Sequence, residues 1–367
     1  MKMNKKFDIK NITNNNKFIP IWLERKNYNH NNCQAPHSIE LHLTSKCNFN
    51  CQHCSYANRR KHNTEVSPEK IDRLLDNLIN SVKPKGVYFS GGGEPTTLRN
   101  WDNYIEKLTQ NGVEVSLITN GSLIKSKHLN VIRKLNYIAI SIYSTKKEIA
   151  QQITGSKSIE HSFLLPSAIK EEPSNTVVGA RCVINEFNLP EVVDIYKKAM
   201  DSGYDYIIFI PEIDYENRGI HLPIKDAEKM KSKVISSNID ETKTNLLSVA
   251  KNKFSYYKIN DASNFERHIE CQPIKLKTNA FINFDGEVYL CQPHIGNKDY
   301  SIGNITGDEF KDLWGSERHE ELIHTLLQQW DKGDCLNCRG IGFTRSVYDY
   351  LNMPPNQPIE IIKDSFV

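Results

Sequence analysis

The chain has 367 residues, 38% of them hydrophobic and 25% charged, a globular composition that excludes a disordered or fibrous protein. The net charge of +3 gives no support to a nucleic-acid partner, and no apolar run reaches the length of a signal-peptide core or a membrane span. The expectation is a cytoplasmic protein of one large domain with a small appended one, or of two ordinary domains, with no membrane or nucleic-acid association.

From the N-terminus, residues 1–37 are rich in Asn and Lys and read as an extension. Residues 38–211 alternate short apolar runs with amphipathic stretches, the pattern of successive βα units on a parallel sheet. Strands are predicted at Ser38–Thr44, Gly86–Ser90, Glu114–Thr119, Tyr137–Tyr143, Thr176–Ile184 and Asp205–Ile210. Between them, Pro68–Val82 reads as a helix with Ser67 as its cap, Pro68 at the first position, and Ile71, Leu74, Leu75, Leu78 and Ile79 on one face. Pro190–Ser202 repeats that logic. Residues 212–270 are more polar, hold a helical pattern near Asp226–Ser236, and read as a connecting insertion. Residues 271–345 form a small Cys-bearing domain, with a β-hairpin from Ala280–Phe284 and Glu287–Leu290 around the tight turn Asp285-Gly286, then a helix near Asp308–Trp314. Residues 346–367 form a Pro-bearing tail, irregular after Tyr350.

Nine cysteines in a reduced compartment point to metal binding or chemistry rather than disulfides. A disulfide scaffold is the alternative, opposed by the lack of a secretory segment and by a core large enough to need none. The spacing Cys47-x3-Cys51-x2-Cys54 follows the first predicted strand directly. Thiolates are the soft donors that suit iron–sulfur sites, and three closely spaced cysteines hold three irons of a cubane, leaving the fourth open to an outside ligand. Structural zinc is the competing use of such cysteines. A second signal lies at the end of strand two, where Ser90-Gly-Gly-Gly-Glu94-Pro95 forms a Gly-rich turn bearing one carboxylate. Glycine lets backbone approach a ligand closely, and barrel-type folds place their sites at the C-terminal ends of strands.

These two motifs resemble the radical S-adenosylmethionine (SAM) superfamily, over roughly residues 38–210. The resemblance implies an α/β fold built on a partial (β/α)6 TIM-type barrel. It also implies a [4Fe–4S] cluster on Cys47, Cys51 and Cys54, and SAM chelating the open iron. By the same resemblance Gly92, Gly93 and Glu94 bind the cofactor's methionyl ammonium. His53 lies near adenine or else in solvent, Asn120 and Ser141 contact the methionyl or ribose groups, and Ile210 flanks adenine. The family's Ser-x-Asp pattern on strand four is Ser141-Ile-Tyr143 here, which leaves Tyr143 without a role. A reducing partner such as flavodoxin or ferredoxin is implied.

Four further cysteines, Cys271, Cys291, Cys335 and Cys338, suffice for one closed site, either a cluster or structural zinc. Their order, with Gly286-x4-Cys291 on the hairpin and a distant Cys-x2-Cys pair, resembles the twitch form of the SPASM auxiliary-cluster domain. The pattern is similar to that of 2-deoxy-scyllo-inosamine dehydrogenases, and it implies a second [4Fe–4S] cluster that accepts electrons. Cys182, on the fifth strand, is either a small buried residue or a hydrogen-atom donor to a substrate radical. Cys182→Ala separates the two, since loss of a donor abolishes turnover while sparing 5′-deoxyadenosine. Cys33 has no assignable role. The function expected is a radical SAM oxidoreductase that oxidises, crosslinks or epimerises a ribosomal peptide or an aminocyclitol or sugar. The alternative is a non-enzymatic iron–sulfur or zinc protein.

Overall fold

The structure is a computed structural model, and it describes residues 17–27, 35–54, 56, 63–156, 159–212, 224–254, 269–333, 335 and 341–354. Cys33, Cys338 and residues 213–223 and 255–268 lie outside the described residues. In chain order the strands are β1 (Ser38–Leu41), β2 (Gly86–Phe89), β3 (Glu114–Thr119), β4 (Tyr137–Ser141), β5 (Val177–Ile184), β6 (Tyr206–Pro211), β7 (Asn279–Ile282), β8 (Glu287–Tyr289) and β9 (Ser301–Asn304). The first six are the six expected from sequence: β3 keeps its predicted bounds, β6 is shifted by one residue, and the other four are shorter than predicted. The fold is the expected α/β class, a partial (β/α)6 TIM-type barrel with a Cys-bearing C-terminal segment.

The chain divides into two compact units. One comprises Asn15–Cys47, Asn58–Leu117 and Asn260–Val367. Within it β1 pairs in parallel with β2 and with β7, placing Ser38 opposite both Gly86 and Asn279. Strand β1 is buried along its whole length, as parallel strands covered on both faces are. Its alternation puts Ile39 and Leu41 on one face and Ser38 and Glu40 on the other, with His42 next in register. The predicted helix at 68–82 is helical only over Pro68–Asn77; Leu78–Val82 widens into a π-type turn that closes at Lys83 with φ 53°. Ser67 makes no side-chain cap; its carbonyl instead accepts from the amides of Lys70 and Ile71.

Strands β7 and β8 form the predicted hairpin, with Gly286 at φ 84° in its turn. Two elements of this segment were not read from sequence. Strand β9 adds antiparallel to β8, and a long helix runs Glu317–Lys332, capped by the Ser316 hydroxyl accepting from the His319 amide and ended by Gly333 at φ 84°. The residues read as N-terminal extension include helix Phe18–Arg25, and helix Ile341–Leu351 runs across the boundary read between the Cys-bearing domain and the tail. These pack on one another through Ile19, Ile21, Phe343 and Val347 with Leu276, and Phe18 stacks on Phe343 at 4.6 Å.

The other unit comprises Met1–Asn14, Asn48–Ala57 and Ile118–Ile259. Its strands β4, β5 and β6 pair in parallel, with Ser141 opposite Arg181 and Val183 opposite Ile210. The insertion read at 212–270 contributes helices Ile224–Ser236 and Leu246–Lys251. Between those helices Asn245 exchanges two hydrogen bonds with the backbone of Phe209, at 2.8 and 2.9 Å, giving β6 partners on its open side. No helix among the described residues is long and apolar enough to cross a membrane.

Candidate active site

The approach to the first cysteine motif is set by β1. Past His42, whose amide still donates to Ile282 O at 2.8 Å, the chain leaves its ladder, and Thr44 bridges Glu65 while the Ser45 amide donates to Thr64 O at 2.7 Å. That is why the strand is three residues shorter than its apolar run suggested. Lys46 pairs with Glu65 at 2.9 Å, and Cys47 follows.

The loop carrying Cys51 and Cys54 is fixed by a helix end and by side chains. The helix Lys147–Thr154 leaves terminal carbonyls without helical partners, and the amides of Gln52 and Asn50 donate to Ile153 O at 3.0 Å and Thr154 O at 2.8 Å. The Cys54 amide turns back to Cys51 O at 3.2 Å, and the Tyr56 amide donates to Cys54 Sγ at 3.4 Å. Asn48, one residue past Cys47, donates to Ser122 Oγ at 2.8 Å, and its Oδ1 accepts from Asn120 Nδ2 at 2.9 Å. Asn120 Oδ1 in turn accepts from the amide and hydroxyl of Ser122. Asn120 thus holds the cysteine loop to the turn after β3.

The Gly-rich turn at the end of β2 abuts the residue before Cys47. The Glu94 amide donates to Lys46 O at 2.8 Å, and a Cβ at Gly93 would stand 2.0 Å from that same carbonyl. Gly91 and Gly92 have φ of 32° and 73°, and a Cβ on Gly91 would strike the His42 ring. His42 is fully buried and bonded to Glu40 Oε1 at 2.7 Å. Burial alone would raise the Glu40 carboxyl, but the His42 charge and hydrogen bonds from His42, Ser90 and Tyr88 together hold it below its ordinary value. Glu94 is buried, and its Oε1 accepts from the amide and hydroxyl of Thr96, at 3.0 and 2.6 Å, capping the short turn Pro95–Thr97.

His53, half-buried, lies with its ring 5.8 Å from that of Tyr143, whose hydroxyl is 3.9 Å from Cys51 Sγ. Ser141 and Ile210 are half-buried near the C-terminal ends of β4 and β6. Opposite Ser141 stands Arg181, whose Nε is buried without a hydrogen-bond partner among the described residues. The sequence reading missed it, although an Arg inside an otherwise apolar strand is itself a signal. Cys182 is fully buried; its sulfur accepts from Asn188 Nδ2 at 3.8 Å, and burial, with the Glu191 charge, pushes its thiol pKa well up.

Of the downstream cysteines, Cys271 opens the short helix Gln272–Lys275, Cys291 follows β8, and Cys335 follows the helix ended by Gly333. Among the described residues no three His, Cys, Asp or Glu side chains are gathered as a metal cage. The fit to an iron–sulfur cofactor therefore rests on the thiol donors, the amide aimed at Cys54 Sγ, and the glycine cradle, all of which suit it.

The pattern of the Radical SAM superfamily matches residues 41–199, and SPASM, an iron–sulfur cluster-binding domain, matches residues 271–339. The chain is 21% identical to the tungsten-containing aldehyde ferredoxin oxidoreductase cofactor-modifying protein of Pyrococcus furiosus, over 82% of this chain and 86% of that one. It is 24% identical to the antilisterial bacteriocin subtilosin biosynthesis protein AlbA of Bacillus subtilis, over 81% of this chain but only 63% of AlbA. In fold it is similar to Streptococcus suis SuiB, solved bound to precursor peptide SuiA, with a TM-score of 0.60, 14% identity, and coverage of 86% and 71% of the two chains.

Proposed function

We propose that this chain, which belongs to the radical SAM superfamily and carries a SPASM domain after its radical SAM domain, takes a hydrogen atom from a carbon of a ribosomally made peptide. The product would be an oxidised, crosslinked or epimerised residue. The radical SAM domain binds SAM and a [4Fe–4S] cluster, and the SPASM domain binds auxiliary iron–sulfur. The observation that carries the reading is the hydrogen bond from the Glu94 amide to Lys46 O, which sets the Gly-rich turn directly beside the residue preceding Cys47.

Cys47, Cys51 and Cys54 would hold the cofactor-binding cluster, and Cys271, Cys291, Cys335 and Cys338 the auxiliary one. When bound, cluster and SAM supply a one-electron reductive cleavage that yields a carbon radical able to abstract hydrogen. The protein's own share is placement. Gly92 and Gly93 open the backbone to the methionyl group, and Glu94, already fixed by Thr96, adds a carboxylate near its ammonium. Ser141 and the unsatisfied Arg181 Nε offer donors that suit the cofactor's carboxylate or ribose. His53 and Ile210 supply flat or apolar surface for adenine. A flavodoxin or ferredoxin would deliver the electron, and the auxiliary site would accept one.

The peptide substrate is supported by the alignment with AlbA and the fold shared with SuiB. Anaerobic reconstitution with iron and sulfide should load about eight irons per chain, four per cluster. Dithionite and SAM should then give 5′-deoxyadenosine. Zinc at the second site with no deoxyadenosine would overturn the enzyme in favour of a non-enzymatic metal-binding protein. Peptides encoded beside the gene should change mass or stereochemistry in the same assay. Turnover of an aminocyclitol with no change to any such peptide would reject the peptide substrate.

A further inference from the structure

Tyr143 stands where the chain departs from the Ser-x-Asp pattern of its resemblance, and its hydroxyl has a contact of chemical consequence. The Cys51 thiol donates to Tyr143 Oη at 3.9 Å. The ring is held between Phe49, at 6.1 Å and 56°, and His53, at 5.8 Å and 42°. Its backbone is held too, because Asn188 Nδ2 donates to Tyr143 O at 2.9 Å and to Val183 O at 2.9 Å from a fully buried position. The phenol therefore reaches the sulfur from a side chain anchored at both ends rather than from a free surface tyrosine.

A cysteine that binds iron does so as a thiolate and has no proton to donate. In the contact between Cys51 and Tyr143, the proton must then come from the phenol, and the hydrogen bond reverses to O–H···S. Donors to cluster sulfurs are one of the terms that set a cluster's reduction potential. Reduction adds negative charge that spreads onto the ligand sulfurs, so a donor there stabilises the reduced state more than the oxidised one and raises the potential. We propose that Tyr143 tunes the SAM-binding cluster by donating its hydroxyl proton to Cys51, making the first electron easier to deliver. Tyr143 is a positioning and tuning residue in this sense; it need not touch substrate.

The inference rests on Cys51 being a ligand of that cluster, and the test separates the two. Reconstituted wild-type holoenzyme and Tyr143→Phe, which keeps the ring and its packing, are titrated with dithionite and followed by EPR. The SAM-binding cluster is identified as the signal that changes when SAM is added. The expected result is a midpoint shifted to more negative potential in Tyr143→Phe. An unchanged midpoint overturns the proposal, whereas a wild-type protein with no SAM-sensitive signal overturns the ligand assignment beneath it. Should Tyr143→Phe fail to load its cluster, pulsed EPR on the wild type in D2O reads the contact directly. An exchangeable deuteron coupled to the SAM-sensitive cluster is expected, and its absence overturns the proposal.

Discussion

A methyl group at Gly91 would stand 2.4 Å from Nε2 of His42, closer than any side chain tolerates, and the ring has nowhere to retreat because it is fully buried and tied to Glu40. A histidine directly after β1, in register with its polar face, thereby dictates glycine on the turn after β2. Gly91→Ala should cost on the order of 2–4 kcal/mol from strain and overpacking. Because the turn must move, affinity for SAM should fall along with stability. Thermal melts and calorimetric titration with SAM check this, and a variant unchanged in both would show that the ring yields.

The lock between Asn48 and Asn120 makes a separate prediction. Asn120→Ala strips Asn48 and Ser122 of their shared partner and should cost about 1–2 kcal/mol. Asn48→Ala and Asn120→Ala should be non-additive by about 0.5–1.5 kcal/mol in urea unfolding, since they report one interaction. Both should lower iron retained after reconstitution. Strict additivity would mean that the two side chains act independently.

Acid stability should depend on His319. Burial, with Lys277 nearby, lowers its pKa to about 3, and its Nδ1 accepts from the Gly315 amide at 2.8 Å, a bond that a proton there would break. A His whose folded pKa lies below its unfolded value gives stability that is full above about pH 6.5 and is lost as pH falls toward about 3. The loss should approach, at most, about 1.4 kcal/mol per pH unit from this residue. Urea denaturation at stepped pH should show a shallower slope for His319→Gln in this window; an identical slope would remove His319 as the cause.

The helix pair at the two ends of the described chain should be structural. Phe343→Ala should cost about 3–5 kcal/mol, as a buried aromatic deletion does. Its coupling to Phe18 should be about 0.5–1.5 kcal/mol beyond the area lost. Chemical denaturation of the single and double variants measures both, and a cost below 1 kcal/mol for Phe343→Ala would mean that the helices do not support the fold.

Local features carried much of this in the sequence alone. Glu114–Thr119 is the strand its alternation predicts, and Asp285-Gly286 closes a hairpin because glycine supplies the left-handed turn. The motif Cys47-x3-Cys51-x2-Cys54 is legible because its three thiols lie within eight consecutive residues, so their spacing is read directly from the chain. The elements that were missed have weak local signals: β9 is Ser-Ile-Gly-Asn, and the helix Ile341–Leu351 has a glycine at its second position. Of the candidate site, the sequence determined the donor types and the Gly-rich turn at the end of β2. Only the tertiary structure could decide that Gly91 answers to His42, that Asn120 is used on Asn48 across 72 residues, and that Tyr143 reaches Cys51 across 92. Composition and periodicity report which face of its own element a residue occupies, whereas these partners are set by how separate βα units are brought together, and no local pattern encodes that distance.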